Sequence, residues 1–501
     1  MDLSAAFTAD GAADFKFIKL LSRDLDRAYA LLSDRCLYES AKWAAEALNA
    51  LQVDDESVED DGVLESAPDI TPIDNMPASE RRKYLLAKAC FDCREYDRAA
   101  MMLDKCKSFK CLFLRLYARY ISGEKKKEEQ SATILGPLDG DGTPNKQIVL
   151  IISELEQLFR ENDKARQDSF LLYIYGIVLI KHKCEKAAVE PLLRSVTIYP
   201  YNWGAWQELS SCVPLSDQLN SVLNQLNHSH IMTQMFNVVC SQELFQSTDN
   251  VFAKLSQLDA VFPTFQFLKI QRAMLCYHGL EYSESEQLFD SVFRVDPYRL
   301  DDMDMYSNIL YVTEQPAKLA YLAQLAASTD KFRPETCCII ANYYSLKSEH
   351  EKAVVYYRRA LTLNRNCLGA WTLMGHEYVE LKNIRAAIES YRRAIAVNSK
   401  DVRAWYGLGQ AYEVIEMYYY SFFYYQRAAA LKPYDHRMWV ALGNCFEKLQ
   451  RPTETIKAYK RALSLSEAEP VVLKKLADLH AAIGDMAASS RYTQMYKEVE
   501  Q

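Results

Sequence analysis

Glycine and proline are scarce, with 15 of each in 501 residues. β-Sandwiches, barrels and glycine-rich nucleotide folds need many turn residues, so this shortage argues against them and for helix. No excess of basic charge is present: 59 Lys and Arg stand against 67 Asp and Glu, a net charge of −8. That balance argues against a general nucleic-acid or anionic-membrane surface. Long apolar runs are missing too. The longest, around 170–180, is too short to span a bilayer. The opening MDLSAAFTAD lacks the basic and apolar regions of a secretory signal. With no such signal, thirteen cysteines are expected to be reduced thiols in a cytosolic or nuclear protein.

Catalytic signatures are equally lacking. The sequence holds no G-x-x-x-x-G-K-[ST], no G-x-G-x-x-G and no G-x-S-x-G. His376-Glu377 opens a HEYVE run without the second histidine of a zinc peptidase. Cys90-x-x-Cys93 is a lone half-site within a helical pattern and reads as small buried residues. No cofactor, metal or enzymatic activity is expected.

Periodicity is what the sequence does have. Trp371, Trp405 and Trp439 are spaced by 34 and 34, and each opens a Trp-x-x-(Met/Leu)-Gly motif ending at Gly375, Gly409 and Gly443. Aromatics follow in register at Tyr378, Tyr412 and Phe446, then at Tyr391, Tyr425 and Tyr459. This is the tetratricopeptide pattern. Each unit is a pair of antiparallel helices that cannot bury both apolar faces alone, so neighbours stack. The fold class is all-α, a tetratricopeptide solenoid. The period runs back through units 334–367, 300–333 (degenerate), 266–299 and 232–265, and forward to a cap at 470–501.

The organisation that follows is a helical segment at 1–51, an acidic loop at 52–80 and repeats at 81–231 interrupted by an insertion at 122–147. Repeats continue over 232–501. The 52–80 stretch carries ten acidic residues and no Lys or Arg, a solvated and disordered composition. The dense aromatic run 418–425 reads mainly as packing between repeats.

In such arrays the first helices of successive units line the inner face. The register places Asn342, His376, Glu377, Glu380, Arg403, Gln410, Glu413, Arg437, Asn444 and Glu447 there. Amides can clamp a peptide backbone, and the carboxylates can pair with a ligand arginine. Trp371, Gly375, Tyr378, Trp405, Gly409, Tyr425, Trp439, Gly443 and Tyr459 are the expected repeat core.

The runs DKFRPETCCIIANYYSLKSEHEKAVVYYRRAL (330–361), GAWTLMGHEYVELKN (369–383) and RAWYGLGQAYE (403–413) closely resemble the family of subunit 8 of the anaphase-promoting complex, the cell division cycle protein 23 homologues. CFDCREYDRAA (90–100), RYISGEKKKEE (119–129), WGAWQEL (203–209) and DPYRLDDMDMYSNILYV (296–312) support it. The resemblance implies a non-catalytic scaffold of a ubiquitin ligase in mitosis, found in nucleus and cytoplasm. It implies a homodimer joined through the N-terminal repeats. It also implies contacts with sister tetratricopeptide subunits, a large scaffold subunit and small accessory subunits. The C-terminal groove is implied to take the arginine-containing C-box of a co-activator, with Asn342 and Glu377 matching by position. No nucleic acid and no membrane are expected. The competing reading is a co-chaperone that clamps acidic C-terminal tails, which would need Lys and Arg along the same face.

Overall fold

The computed structural model describes residues 15–51, 76–130, 145–213, 216–244, 249–465 and 470–500. Among these there are twenty-six α-helices, one short 3-10 turn at Ala165–Gln167, and no strand. None of the helices is long and apolar enough to cross a membrane. The chain divides into two compact units, Met1–Val295 and Asp296–Gln501. Helices pair into hairpins in both, as a tetratricopeptide solenoid requires.

In the first unit, the helical segment expected at 1–51 is a pair of helices, Phe15–Asp34 and Tyr38–Asn49. It packs onto hairpins far along the chain. Trp43 stacks on Trp203 with ring centroids 4.7 Å apart, and Phe265 meets it edge-on. The Gly204 N–H donates to Ser40 Oγ at 3.0 Å, a contact a larger residue at 204 would obstruct. Ser169–Lys181 is buried almost all round, which is why its sequence is a continuous apolar run rather than an amphipathic one.

Two expectations need correction. The insertion assigned to 122–147 begins and ends in helix, because Phe109–Gln130 continues through Gly123 and Gln147 already opens Gln147–Glu161. Gly123 is no loop residue. A Cβ there would lie 2.0 Å from Asn145 Oδ1, and that buried amide bonds the Tyr120 carbonyl and Glu124. Likewise the acidic loop ends early: Pro77 caps Ala78–Asp92, so Ser79 and Glu80 are helical. The remainder, 52–75, and 131–144 of the insertion lie outside the described residues.

The second unit consists of hairpins Met303–Val312/Pro316–Thr329, Pro334–Leu346/His350–Leu363, Leu368–Glu380/Ile384–Val397, Val402–Val414/Tyr418–Leu431, His436–Lys448/Pro452–Leu465 and Pro470–Ile483/Met486–Glu500. The three tryptophans occupy one environment. Each Nε1–H donates to the carbonyl six residues back: Trp371 to Arg365 at 2.8 Å, Trp405 to Ser399 at 2.8 Å, Trp439 to Pro433 at 2.9 Å. Trp206, in the first unit, does the same with Pro200. The glycines also match: a Cβ on Gly375, Gly409 or Gly443 would stand 2.3–2.4 Å from a ring carbon of Tyr391, Tyr425 or Tyr459. Between repeats, Arg358 donates to the Tyr378 hydroxyl and Arg392 to that of Tyr412. One repeat later both partners change together, to Gln426 and Phe446.

The turn inside each hairpin is built alike. Leu280, Glu314, Ser348, Lys382, Glu416, Gln450 and Gly484 recur every 34 residues with φ between 52° and 89°, the left-handed region. The next residue's N–H closes the turn on a carbonyl five back, as Asn383 does on Tyr378 at 2.8 Å and Met417 on Tyr412 at 2.9 Å. This is the Schellman ending of a helix. Unit 300–333, degenerate in sequence, shares the turn through Glu314.

Candidate peptide-binding surface

The inner-face candidates fall into two groups once side chains are placed. The ninth position of each unit recurs as Asn308, Asn342, His376, Gln410 and Asn444. Most of these residues are occupied internally. Tyr357 is fully buried, and its hydroxyl donates to Asn342 Oδ1 at 2.5 Å. Asn342 Nδ2 in turn donates to Asn308 Oδ1 and Ser307 Oγ, both at 2.7 Å. The Tyr391 hydroxyl lies 2.8 Å from His376 Nδ1. Tyr459 donates to Asn444 Oδ1 at 2.8 Å. A buried phenol needs an acceptor, and this row supplies one.

Asn342 is therefore not an open amide clamp: it is 2% exposed and its donors and acceptor are in use. Glu377 is also enclosed, at 5% exposed, accepting from Ser345 Oγ at 2.6 Å and lying 2.8 Å from His350 Nδ1. Both residues belong to the seam between repeats rather than to its open surface. Burial, reinforced by Arg403, pushes the His376 imidazole down to about 4, so it is neutral near pH 7 and suited to accept from Tyr391.

The open group is Glu380, Gln410, Arg437 and Glu447, with Arg403, Glu413 and Asn444 half-buried. Glu413 accepts from the Tyr425 hydroxyl at 2.7 Å through one oxygen, which leaves its other oxygen open. Gln410, at the ninth position of that unit, is exposed. The two arginines are held at the other end of their helices. Asp401 accepts from the Arg403 backbone N–H at 3.0 Å and from its Nε at 3.1 Å. Asp435 does the same for Arg437, with Nη2 at 2.9 Å as well. Each aspartate thus caps a helix and neutralises a groove arginine. Burial works against the Asp435 charge, but the Arg437 hydrogen bonds and charge hold its carboxyl below the usual range.

Sequence reasoning missed these aspartates, although Asp-x-Arg recurs at 401–403 and 435–437 just before a helix, an N-cap signature. It also missed Lys475, whose Nζ reaches Asn444 Oδ1 at 2.7 Å and Glu447 Oε2 at 3.1 Å from the next hairpin. No spacing rule marks that lysine. Elsewhere, Cys337 is core as expected, and Cys338 is buried beside it. Of the Cys90/Cys93 pair only Cys90 is buried.

Residues 20–273 match the family model described as anaphase promoting complex subunit 8 / Cdc23. Tetratricopeptide models match 334–367, 375–413 and 436–469, and the first and last have the unit boundaries read from the tryptophan spacing. A curated relative, "Anaphase-promoting complex subunit 8" of Arabidopsis thaliana, is 42% identical over 72% of this chain and 66% of its own. "Anaphase-promoting complex subunit CDC23" of Saccharomyces cerevisiae is 36% identical over 75% and 71%. The chain spans about two thirds of the length of these relatives. The solved structure titled "Crystal structure of APC/C hetero-tetramer Cut9-Hcn1" aligns with TM-score 0.46 and 15% identity over 83% of this chain and 86% of that one. With half of its length under the family model and its repeats in the expected register, the chain belongs to the anaphase-promoting complex subunit 8 / Cdc23 family.

Proposed function

We propose that this chain is a non-catalytic scaffold and adaptor of the anaphase-promoting complex. In this reading the first helices of its second unit hold an arginine-containing segment of a co-activator, the C-box. The chain pairs with a second copy through its N-terminal repeats, contacts sister subunits, and works in nucleus and cytoplasm. One observation carries the choice of ligand. The two arginines of the open face are tied to Asp401 and Asp435, whereas Glu380 and Glu413 make no ion pair among the described residues. The face therefore offers uncompensated carboxylates and suits a cationic peptide. An acidic tail, as a co-chaperone would bind, finds its cations already neutralised.

Binding to the full chain, followed by fluorescence anisotropy of a labelled arginine-bearing peptide, tests this. Glu380→Gln with Glu413→Gln removes two charges, while the amide oxygen introduced at position 413 can still accept from Tyr425. Loss of two charge-assisted contacts should weaken binding at least tenfold, and salt should weaken the wild-type interaction. Equal affinity for an acidic-tail peptide, or no change in the double variant, refutes the reading.

A further inference from the structure

A second site lies in the first unit. The turn between Tyr96–Met102 and Phe109–Gln130 reads KCKSFKC over 105–111. It brings Cys106 and Cys111, 4% and 0% exposed, against the start of Ala78–Asp92. One atom each from Cys106 Sγ, Cys111 Sγ and the Glu80 carboxylate all lie within 4.8 Å of one another. A third sulfur completes the group: Met76 Sδ is 3.9 Å from Cys111 Sγ. Two sulfurs bound at about 2.3 Å to a tetrahedral ion stand ~3.8 Å apart, so that edge already has the right length. We propose that Met76, Glu80, Cys106 and Cys111 form a binding site for a thiophilic d10 ion, Zn2+ or Cu+.

The chemistry of the four groups agrees. Glu80 lies at the start of Ala78–Asp92. Its two oxygens accept from Lys107 N at 3.0 Å and Ser108 N at 3.2 Å, and each keeps a lone pair. These N–H groups fix the carboxylate as an outer partner would fix a metal ligand. Both cysteines sit at the N-terminal end of the 22-residue helix Phe109–Gln130, where the helix dipole favours thiolate. Cys106 and Cys111 lie in one core cluster with Tyr84, Leu103 and Leu114. Each cysteine thiol releases its proton to solvent as its sulfur ligates.

The test uses the reduced full chain with Co2+ as spectroscopic probe. One equivalent should give a near-ultraviolet thiolate-to-cobalt band and tetrahedral visible bands, displaced by one equivalent of Zn2+ or Cu+. Cys106→Ser and Cys111→Ser should each abolish the bands, while Cys93→Ser, at an exposed thiol, leaves them. Glu80→Gln should lower Zn2+ affinity roughly tenfold, and Met76→Leu should lower Cu+ affinity by a similar factor. These two variants keep both thiols and nearly all volume, so they carry the test even if a cysteine variant fails to fold. The absence of a thiolate band in wild type overturns the proposal. So does a band that survives either serine substitution, or a disulfide between Cys106 and Cys111 forming instead of ion binding.

Discussion

Gly375 and Gly369 lie six residues apart on the helix Leu368–Glu380, and alanine should act on them with opposite sign. At Gly375 the new Cβ would be 2.4 Å from Tyr391 Cε1 and 2.7 Å from Cδ1. Carbon contacts are comfortable at about 3.5–4.0 Å, so the ring would have to withdraw by more than about 1 Å. It has little room to do so. Its far side rests on Gly407, where a Cβ would be 2.6 Å from the ring, and its hydroxyl is held at His376. Overpacking of this kind costs about 1–3 kcal/mol, at the upper end when the neighbour is wedged. The better helix propensity of alanine returns about 1 kcal/mol, for a net loss of roughly 1–2 kcal/mol. At Gly369 nothing lies within 4 Å, and alanine should gain up to about 0.5 kcal/mol. The two variants should thus differ by about 2 kcal/mol. In thermal unfolding followed by circular dichroism that is roughly 4–8 °C for a unit of this size. Tyr391→Ala, which removes the obstructing ring, should make Gly375→Ala nearly harmless. If Gly375→Ala proves neutral or stabilising in the wild-type background, the close approach of helix and ring is not what the repeat depends on.

Asn342→Ala should cost about 2–4 kcal/mol in urea unfolding, because it strands the buried Tyr357 hydroxyl and breaks the link to Asn308. Adding Tyr357→Phe should recover part of that loss; a loss below 0.5 kcal/mol, by the ~1 kcal/mol norm of a single hydrogen bond, would show that the seam is wet. Stability of the second unit should also depend on pH through Asp304. Burial, with Asp302 and Glu335 nearby, pushes its carboxyl up to about 7, against about 3.9 in the unfolded chain. Between those values the folded state holds one more proton than the unfolded one. Stability from this group is therefore present below about pH 4 and is lost as pH rises to 7, by at most about 1.4 kcal/mol per unit. Asp304→Asn should flatten the decline between pH 5 and 7 in urea midpoints, and an unchanged slope would remove Asp304 as its source.

The repeat architecture was legible because its determinants are local and bulky. A tryptophan, a glycine four residues on and a tyrosine sixteen beyond that fix the helix approach, and no distant information is needed. Unit 300–333 looked degenerate because Met303 and Ser307 replace the tryptophan and glycine. Both are fully buried, so the same volumes are filled with different chemistry. The open surface was harder to read. A polar residue on an inward-facing row looks like a ligand contact until the reach of the neighbouring tyrosine is known. That reach depends on rotamers, which spacing does not encode. Asn342 is enclosed for this reason, and Glu377 by Ser345 and His350, while Glu380 and Gln410 stay exposed. The Asp401–Arg403 pairing was readable as a capping motif, but its effect on the charge of the face needed the side-chain geometry.

The hairpin turns also store backbone strain. Six of the seven turn residues in the 34-residue series, from Leu280 to Gln450, carry side chains at φ near +60°, and each endures about 1–2 kcal/mol of crowding against its own backbone. Only the last turn in the series, at Gly484, avoids it. Replacing any of the six with glycine or asparagine would relax a single joint, and joints a full repeat apart should respond independently. The stiffness of the repeats could then be graded, joint by joint, without altering a residue on their inner helices.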